Sequence, residues 1–178
     1  MKISKTSQIL TALFSLACAI AAGYLILRGS GMFPEPSISL ILLTAIFIIL
    51  LSSSRKSFYL ILLPLVCLHA FYTPTGLNFG APSYQYIASV LATDMLETKE
   101  FLLQIPVSSY LAALAILLLV FLHYKSAVKF GVKFYRNKTF IALATLLIGY
   151  NLPIAAPLKE TIDSSVQIVN EWQKLKKM

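Results

Sequence analysis

Charged residues are scarce in this sequence, and acidic residues are the scarcest. Seven Asp and Glu stand against fifteen Lys and Arg among 178 residues, so charged residues make up 12% of the chain and hydrophobic residues 58%. This balance is typical of integral membrane proteins and predicts no hydrophilic domain within these residues. The net charge of +8 is not arranged as a basic stripe with interleaved aromatics, which argues against a nucleic-acid partner. The excess of basic residues is better explained by the orientation of the chain in a membrane and by contact with anionic lipid.

Cysteine and histidine are also rare. Cys18 and Cys67 lie in apolar runs without metal-ligand spacing, which excludes a disulfide framework and a zinc site built on them. His69 and His123 belong to different predicted spans, at opposite faces of the membrane, so they form no catalytic or metal-binding pair. The chain has no HExxH motif, nucleophile elbow or phosphate-cradling loop. We therefore predict no catalytic residue, metal or cofactor site in this chain.

The dominant feature of the sequence is a series of apolar blocks. A membrane span needs about 20 largely apolar residues, with roughly 17 to 25 tolerated. Five blocks qualify or come close, and they predict an all-α polytopic membrane protein with five transmembrane helices and periplasmic amphipathic helices. The first block is too long for a signal-peptide core of roughly 7 to 15 residues, so we interpret it as an uncleaved span. The blocks are 9–27, 38–51, 58–72, 108–123 and 139–158.

These blocks predict a five-span membrane domain over residues 1–158, with a periplasmic loop and helix at 73–106. Lys and Arg number nine at the N-terminus and in the second and fourth loops, against three near the spans on the other side. Because basic residues are retained in the cytoplasm, the N-terminus is predicted to be cytoplasmic and the central loop and C-terminus periplasmic, in a bacterial inner membrane.

Two polar features interrupt the third block. Pro64 removes one backbone hydrogen bond and predicts a kink near Leu60. His69 is an ionisable residue within an apolar block, which suggests a functional role. Its position near the end of the block favours the alternative that it only forms a hydrogen bond near the membrane surface.

The central segment, 73–106, is the one long stretch that carries polar residues. Its first part has turn residues at Thr73, Pro74, Gly76 and Asn78, and a helix is then predicted from Pro82 or Ser83 to Ile105. Along that helix, four polar residues recur every four positions opposite an apolar stripe. They are Gln85, Ser89, Thr93 and Glu97.

This polar line is the candidate substrate-binding site. Glu97 can pair with an ammonium group, and Ser89 and Thr93 can donate hydrogen bonds to phosphate or ester oxygens. The alternative is that the line simply faces water, as the polar side of most amphipathic helices does.

The tail, 159–178, repeats apolar residues at Ile162, Val166, Val169 and Trp172. This spacing suits an interfacial helix or linker with Trp172 at the headgroup level. A frayed chain end is the open alternative.

A resemblance to a known family rests on the central segment, the five-span layout and the tail. The chain resembles the N-terminal membrane domain of bacterial phosphoethanolamine transferases, closest to the branch that modifies osmoregulated periplasmic glucans. The residues that carry the resemblance are FYTPTG, then NFGAPSYQYIASVLATDMLETKEFL, and VQIVNEWQKLKK in the tail.

The resemblance implies an enzymatic activity, with donor binding in this membrane domain and catalysis in another domain. Such enzymes transfer phosphoethanolamine from phosphatidylethanolamine to lipid A or a glycan through a phospho-threonine, with zinc. The family's head-group series of Asn, Thr and Glu matches Thr93 and Glu97, whereas Ser89 stands at the Asn position. Zinc and the nucleophile are expected in a soluble phosphatase-like catalytic domain that is missing from this chain. A small non-enzymatic inner-membrane protein, acting in envelope assembly or as a partner subunit, is the alternative.

Overall fold

The computed structural model describes residues 5–83 and 94–129, with residues 159, 162, 163, 165–167 and 170 of the tail. Regular structure in these ranges is entirely helical, as predicted. The helices within residues 5–83 and 94–129 are α1 (Lys5–Gly29), α2 (Ile38–Ser52), α3 (Arg55–Phe79), α4 (Met95–Gln104) and α5 (Val107–Lys129). Of these, α1, α3 and α5 are long and apolar enough to cross a membrane.

The predicted count of five spans is only partly supported. The first, third and fourth blocks correspond to α1, α3 and α5. The second block is a helix, but α2 has 15 residues, fewer than the roughly 17 that a span usually needs. The fifth block, 139–158, lies outside the described residues, as does most of the tail.

The long helices pack side by side, with α1 and α3 parallel and α5 antiparallel to both. At one end of the bundle, Asn78 near the end of α3 donates a hydrogen bond to Ser109 at the start of α5 (2.9 Å). At the other end, the Phe58 ring stacks on Tyr124, with centroids 3.7 Å apart. The two contacts make α3 and α5 antiparallel. Gly29, the last residue of α1, packs against Thr73 of α3, so α1 runs parallel to α3.

Apolar side chains both fill the bundle and cover its outside. The core contains Ile26, Ile48, Leu62, Val66 and Ile116, each of them fully buried. Large apolar side chains on the outer faces of α1, α2, α3 and α5 are exposed. Apolar residues all round a helix are expected for elements surrounded by lipid, since lipid is as favourable for them as the protein core.

The start of α3 departs from α-helical geometry where the sequence predicts an irregularity. Residues Phe58–Leu62 form a π-helical turn, in which the Leu63 N–H donates to the Phe58 carbonyl. Pro64 has no N–H for the carbonyl of Leu60, and its ring crowds that carbonyl. The wider turn accommodates the ring. It lies at the position of the kink predicted near Leu60, and the bend itself stays a prediction.

The prediction of turns at Thr73, Pro74, Gly76 and Asn78 is wrong. α3 continues past Tyr72 and through Pro74 to Phe79. Side chains supply bonds to the backbone around the proline: the Thr73 hydroxyl donates to the His69 carbonyl (2.7 Å) and the Asn78 amide to the Pro74 carbonyl (2.7 Å). Such bonds let helices in membrane proteins tolerate residues that break helices in water.

The two histidines lie at different levels of the bundle. His123 is buried, and its Nδ1 lies 2.9 Å from both the hydroxyl and the carbonyl oxygen of Ser15, which joins α5 to α1. Tyr124 stands level with Phe58. His69 comes eleven residues after Phe58, about 16 Å further along α3. The two rings are therefore too far apart to share a metal ion.

Candidate functional site

Helix α4 lies over the end of the bundle where α3 finishes and α5 begins. The Phe101 ring of α4 packs on Phe79, with centroids 4.9 Å apart. The Tyr110 hydroxyl of α5 donates to the carbonyl of Leu102 (2.8 Å). These two contacts join α4 to both neighbouring helices.

A capping interaction determines where α4 begins. Asp94 has an extended backbone (φ −82°, ψ 176°), and its Oδ1 accepts from the N–H groups of Leu96 (2.8 Å) and Glu97 (2.9 Å). These two N–H groups have no acceptor within the helix, so the carboxylate supplies one. The partial positive charge at the helix N-terminus also stabilises the negative carboxylate.

The prediction of one helix from Pro82 or Ser83 to Ile105 is therefore wrong. Pro82 and Ser83 are not helical, and the extended Asp94 interrupts any helix that would run through it. The sequence does carry a signal for this start, because Asp94 is followed three residues later by Glu97, the spacing of a capping box. Residues 83–105 contain no Gly or Pro, and this absence favoured the prediction of one continuous helix over a helix that starts after Asp94.

The candidate site residues are described only in part. Ser89 and Thr93 lie outside the described residues. Glu97 stands exposed in the first turn of α4, and no ion pair joins its carboxylate to another described residue. Because Asp94 is extended, the four-residue spacing of a continuous helix does not apply between Thr93 and Glu97. The three-residue site stays a prediction.

Sequence reasoning missed two further polar side chains at this end. Thr98 and Lys99 are exposed on α4 and line an open cavity of about 470 Å³, together with Leu102, Leu103 and Tyr110. α4 therefore presents an ammonium group two residues from the Glu97 carboxylate. The residue order Glu-Thr-Lys-Glu is visible in the sequence, but the cavity depends on how α4 docks on α5.

Within the described ranges, no three acidic, histidine or cysteine side chains lie close enough together to hold a metal ion. The exposed side chains of Glu97, Lys99 and Glu100 offer charges and hydrogen bonds to a ligand.

Replacing Asp94 with alanine is expected to fray the first turn of α4. An N-cap aspartate contributes about 1 kcal/mol, so the amides of Leu96 and Glu97 should exchange roughly fivefold faster with deuterium. Asp94→Asn keeps an accepting oxygen and should retain most of the protection. Unchanged exchange in the alanine variant would contradict the cap.

Comparison with known proteins gives one informative match. Over 174 residues the chain is 75% identical to a Haemophilus influenzae protein with the name "Putative phosphoethanolamine transferase". The match takes in 98% of this chain and 36% of the relative, at the relative's N-terminal portion. The resemblance to this family is thereby confirmed. No family model and no solved structure matches the chain.

Proposed function

We propose that these residues form the membrane part of a phosphoethanolamine transferase, which anchors the enzyme and helps to bind its phosphatidylethanolamine donor. The phosphoethanolamine would pass to a periplasmic glycan or lipid A. The observation that carries the proposal is the 75% identity to the Haemophilus influenzae protein with that name. The three helices long enough to cross a membrane support the anchoring role.

For the donor, we propose that Glu97 pairs with the ethanolamine ammonium, while Ser89 and Thr93 donate to phosphate oxygens. Two described features support the role of Glu97. Its carboxylate is exposed at the end of the bundle where α4 docks, and no described cation neutralises it.

For the topology, we propose that α4 faces the periplasm of a bacterial inner membrane and that the N-terminus and the start of α3 face the cytoplasm. The distribution of basic residues supports this orientation. Arg55, Lys56 and Lys125 stand at the end of the bundle marked by the Phe58 and Tyr124 stack, opposite α4. Basic residues near span ends favour the cytoplasmic side.

For catalysis, we propose that zinc and the nucleophile belong to a soluble phosphatase-like domain outside these 178 residues. The zinc ion finds no set of ligands among the described residues, so no chemical step is assigned to them. The role of this chain would be to hold the donor lipid at the membrane surface in reach of that domain.

A domain exchange tests the proposed function. Residues 1–178 joined to the remainder of the Haemophilus influenzae relative are expected to transfer radiolabelled phosphoethanolamine from phosphatidylethanolamine within about tenfold of the relative's own rate, or ~1.4 kcal/mol in the barrier. The control joins the same remainder to an unrelated five-span anchor, which should give no transfer. An active relative with an inactive chimera would contradict the proposal and favour a non-enzymatic role.

A further inference from the structure

The end of the bundle opposite α4 carries positive charge, and the helices around it contain no acidic residue. Arg55 and Lys56 begin α3, Lys125 lies near the end of α5, and all three side chains are exposed. The sequences of α1, α2, α3 and α5 include neither Asp nor Glu. None of these four helices can therefore supply a counterion, and the ligand that complements this end is an anion.

Two of the cations lie against aromatic rings at matching positions on neighbouring helices. The Arg55 guanidinium lies over the Tyr59 ring, 5.9 Å from its centroid, and the Lys125 ammonium lies over the Phe121 ring at 5.3 Å. Both distances are within the roughly 6 Å of a cation–π contact. In each pair the ring stands about one helical turn further into the bundle than the cation. Each helix thus presents a cation at its end and an aromatic ring next to it on the membrane side.

A contact between aromatic rings places the two pairs side by side. The Tyr59 ring of α3 lies 5.9 Å from the ring of Tyr124, the residue that precedes Lys125 on α5. Helices in contact have axes about 8 to 10 Å apart, which long side chains such as those of Arg and Lys can bridge from both sides. One ligand with two anionic groups can therefore reach both cations.

The surroundings of the two pairs favour a ligand that also has hydrocarbon chains. Tyr59 and Phe121 are 45% and 46% exposed, and Leu60 and Leu118 beside them are exposed as well. These side chains belong to α3 and α5, which are long and apolar enough to cross a membrane. Aromatic rings near the ends of such helices are typical of the head-group level. A soluble anion would contact only the cations, whereas an anionic phospholipid would contact both the cations and this apolar surface.

We infer that the two cation–aromatic pairs bind cardiolipin, a glycerophospholipid with two phosphates, through one phosphate at Arg55 and the other at Lys125. Basic pockets between membrane helices recognise such head groups by charge. The guanidinium can donate two parallel hydrogen bonds to its phosphate, and the ammonium acts as a point charge. The acyl chains lie along the exposed apolar side chains of α3 and α5. This surface is at the opposite end of the bundle from the proposed donor site, so it binds lipid whether or not a donor binds at α4.

Native mass spectrometry of the 178-residue chain in a neutral detergent tests this assignment. The chain is titrated with cardiolipin and, separately, with phosphatidylglycerol, which has one phosphate. We expect cardiolipin to bind about fivefold more tightly, because only a second phosphate reaches the second cation. Equal affinities for the two lipids would overturn the inference. Inorganic pyrophosphate at the same concentration should not displace cardiolipin, and displacement would overturn the assignment to a lipid.

Substitutions at the two cations locate the binding surface. Arg55→Gln and Lys125→Gln should each lower the affinity for cardiolipin about fivefold, since each removes one positive charge from the surface. Lys125→Arg keeps the charge and should keep the affinity, which shows that the loss in Lys125→Gln does not come from misfolding. Cardiolipin binding that neither Gln variant changes would overturn the assignment.

Two variants at the other end of the bundle are the controls. Arg28 is exposed near the end of α1, and Arg28→Gln makes the same change in net charge as the two test variants. Glu97→Gln alters the proposed donor site alone. Both variants should leave the affinity for cardiolipin unchanged. An equal loss in Arg28→Gln would indicate a general effect of charge and would overturn a specific surface at Arg55 and Lys125.

Discussion

Replacing Gly76 with alanine is expected to destabilise the packing of α1 against α3. A methyl group at this position would overlap the carbonyl oxygen of Gly29 and lie 2.9 Å from the Tyr72 ring. The first obstacle is backbone, so no change of rotamer relieves it and the helices must move apart. Overpacking of this kind costs about 1 to 3 kcal/mol, more than the ~1 kcal/mol that alanine gains over glycine within a helix. The measurement is the midpoint of thermal unfolding in detergent.

Gly23 in α1 provides a matched control. It is also a helical glycine, but an added methyl group there would come no closer than 3.1 Å, to the carbonyl of Ile41. Gly23→Ala should change stability by less than about 1 kcal/mol, because a small shift competes with the gain in helix propensity. A Gly76→Ala variant at least as stable as Gly23→Ala would contradict the close contact of α1 with α3.

Replacing Glu97 with glutamine is expected to weaken binding of phosphatidylethanolamine by about 5- to 150-fold. The change keeps the size of the side chain and removes its charge. A charge-assisted hydrogen bond is worth about 1 to 3 kcal/mol, which sets this range. Phosphatidylglycerol has no ammonium group, so its binding should not change. Native mass spectrometry of the chain with both lipids measures the two affinities together.

Glu100→Gln is the control for this prediction. Glu100 is also exposed on α4, three residues after Glu97, so the variant makes the same change in net charge. It should leave both affinities near those of the unchanged chain. Equal losses in the two variants would indicate a general charge effect and would contradict a specific role of Glu97.

The bounds of the apolar helices were predictable where they follow from the length of the apolar block alone. α1, α2 and α5 each begin and end within a few residues of their predicted blocks, apart from α5 continuing to Lys129. The presence of turn residues did not predict the end of α3, because turn preferences apply to chains that are exposed to water. Within the bundle, Thr73 and Asn78 bond the backbone beside Pro74, and Gly76 permits close contact with α1. These residues stabilise a packed helix end instead of a turn.

The candidate site was predictable only residue by residue. Glu97 lies on an exposed helical face, as its neighbours in sequence indicate, but its helix begins at Met95, after the cap Asp94, and not at Pro82 or Ser83. The cavity beside Thr98 and Lys99 depends on the contacts of Phe101 with Phe79 and of Tyr110 with Leu102. No local pattern encodes contacts between separate helices, so this cavity was not predictable from the sequence. Ser89 and Thr93 remain predictions.

The lipid preference of the unchanged chain tests the central claim most directly. The chain, purified and exposed to equal amounts of phosphatidylethanolamine and phosphatidylglycerol, is expected to bind phosphatidylethanolamine at least about tenfold more tightly, a difference of ~1.4 kcal/mol. Equal binding of the two lipids, or tighter binding of phosphatidylglycerol, would contradict a donor site for phosphoethanolamine transfer in these residues.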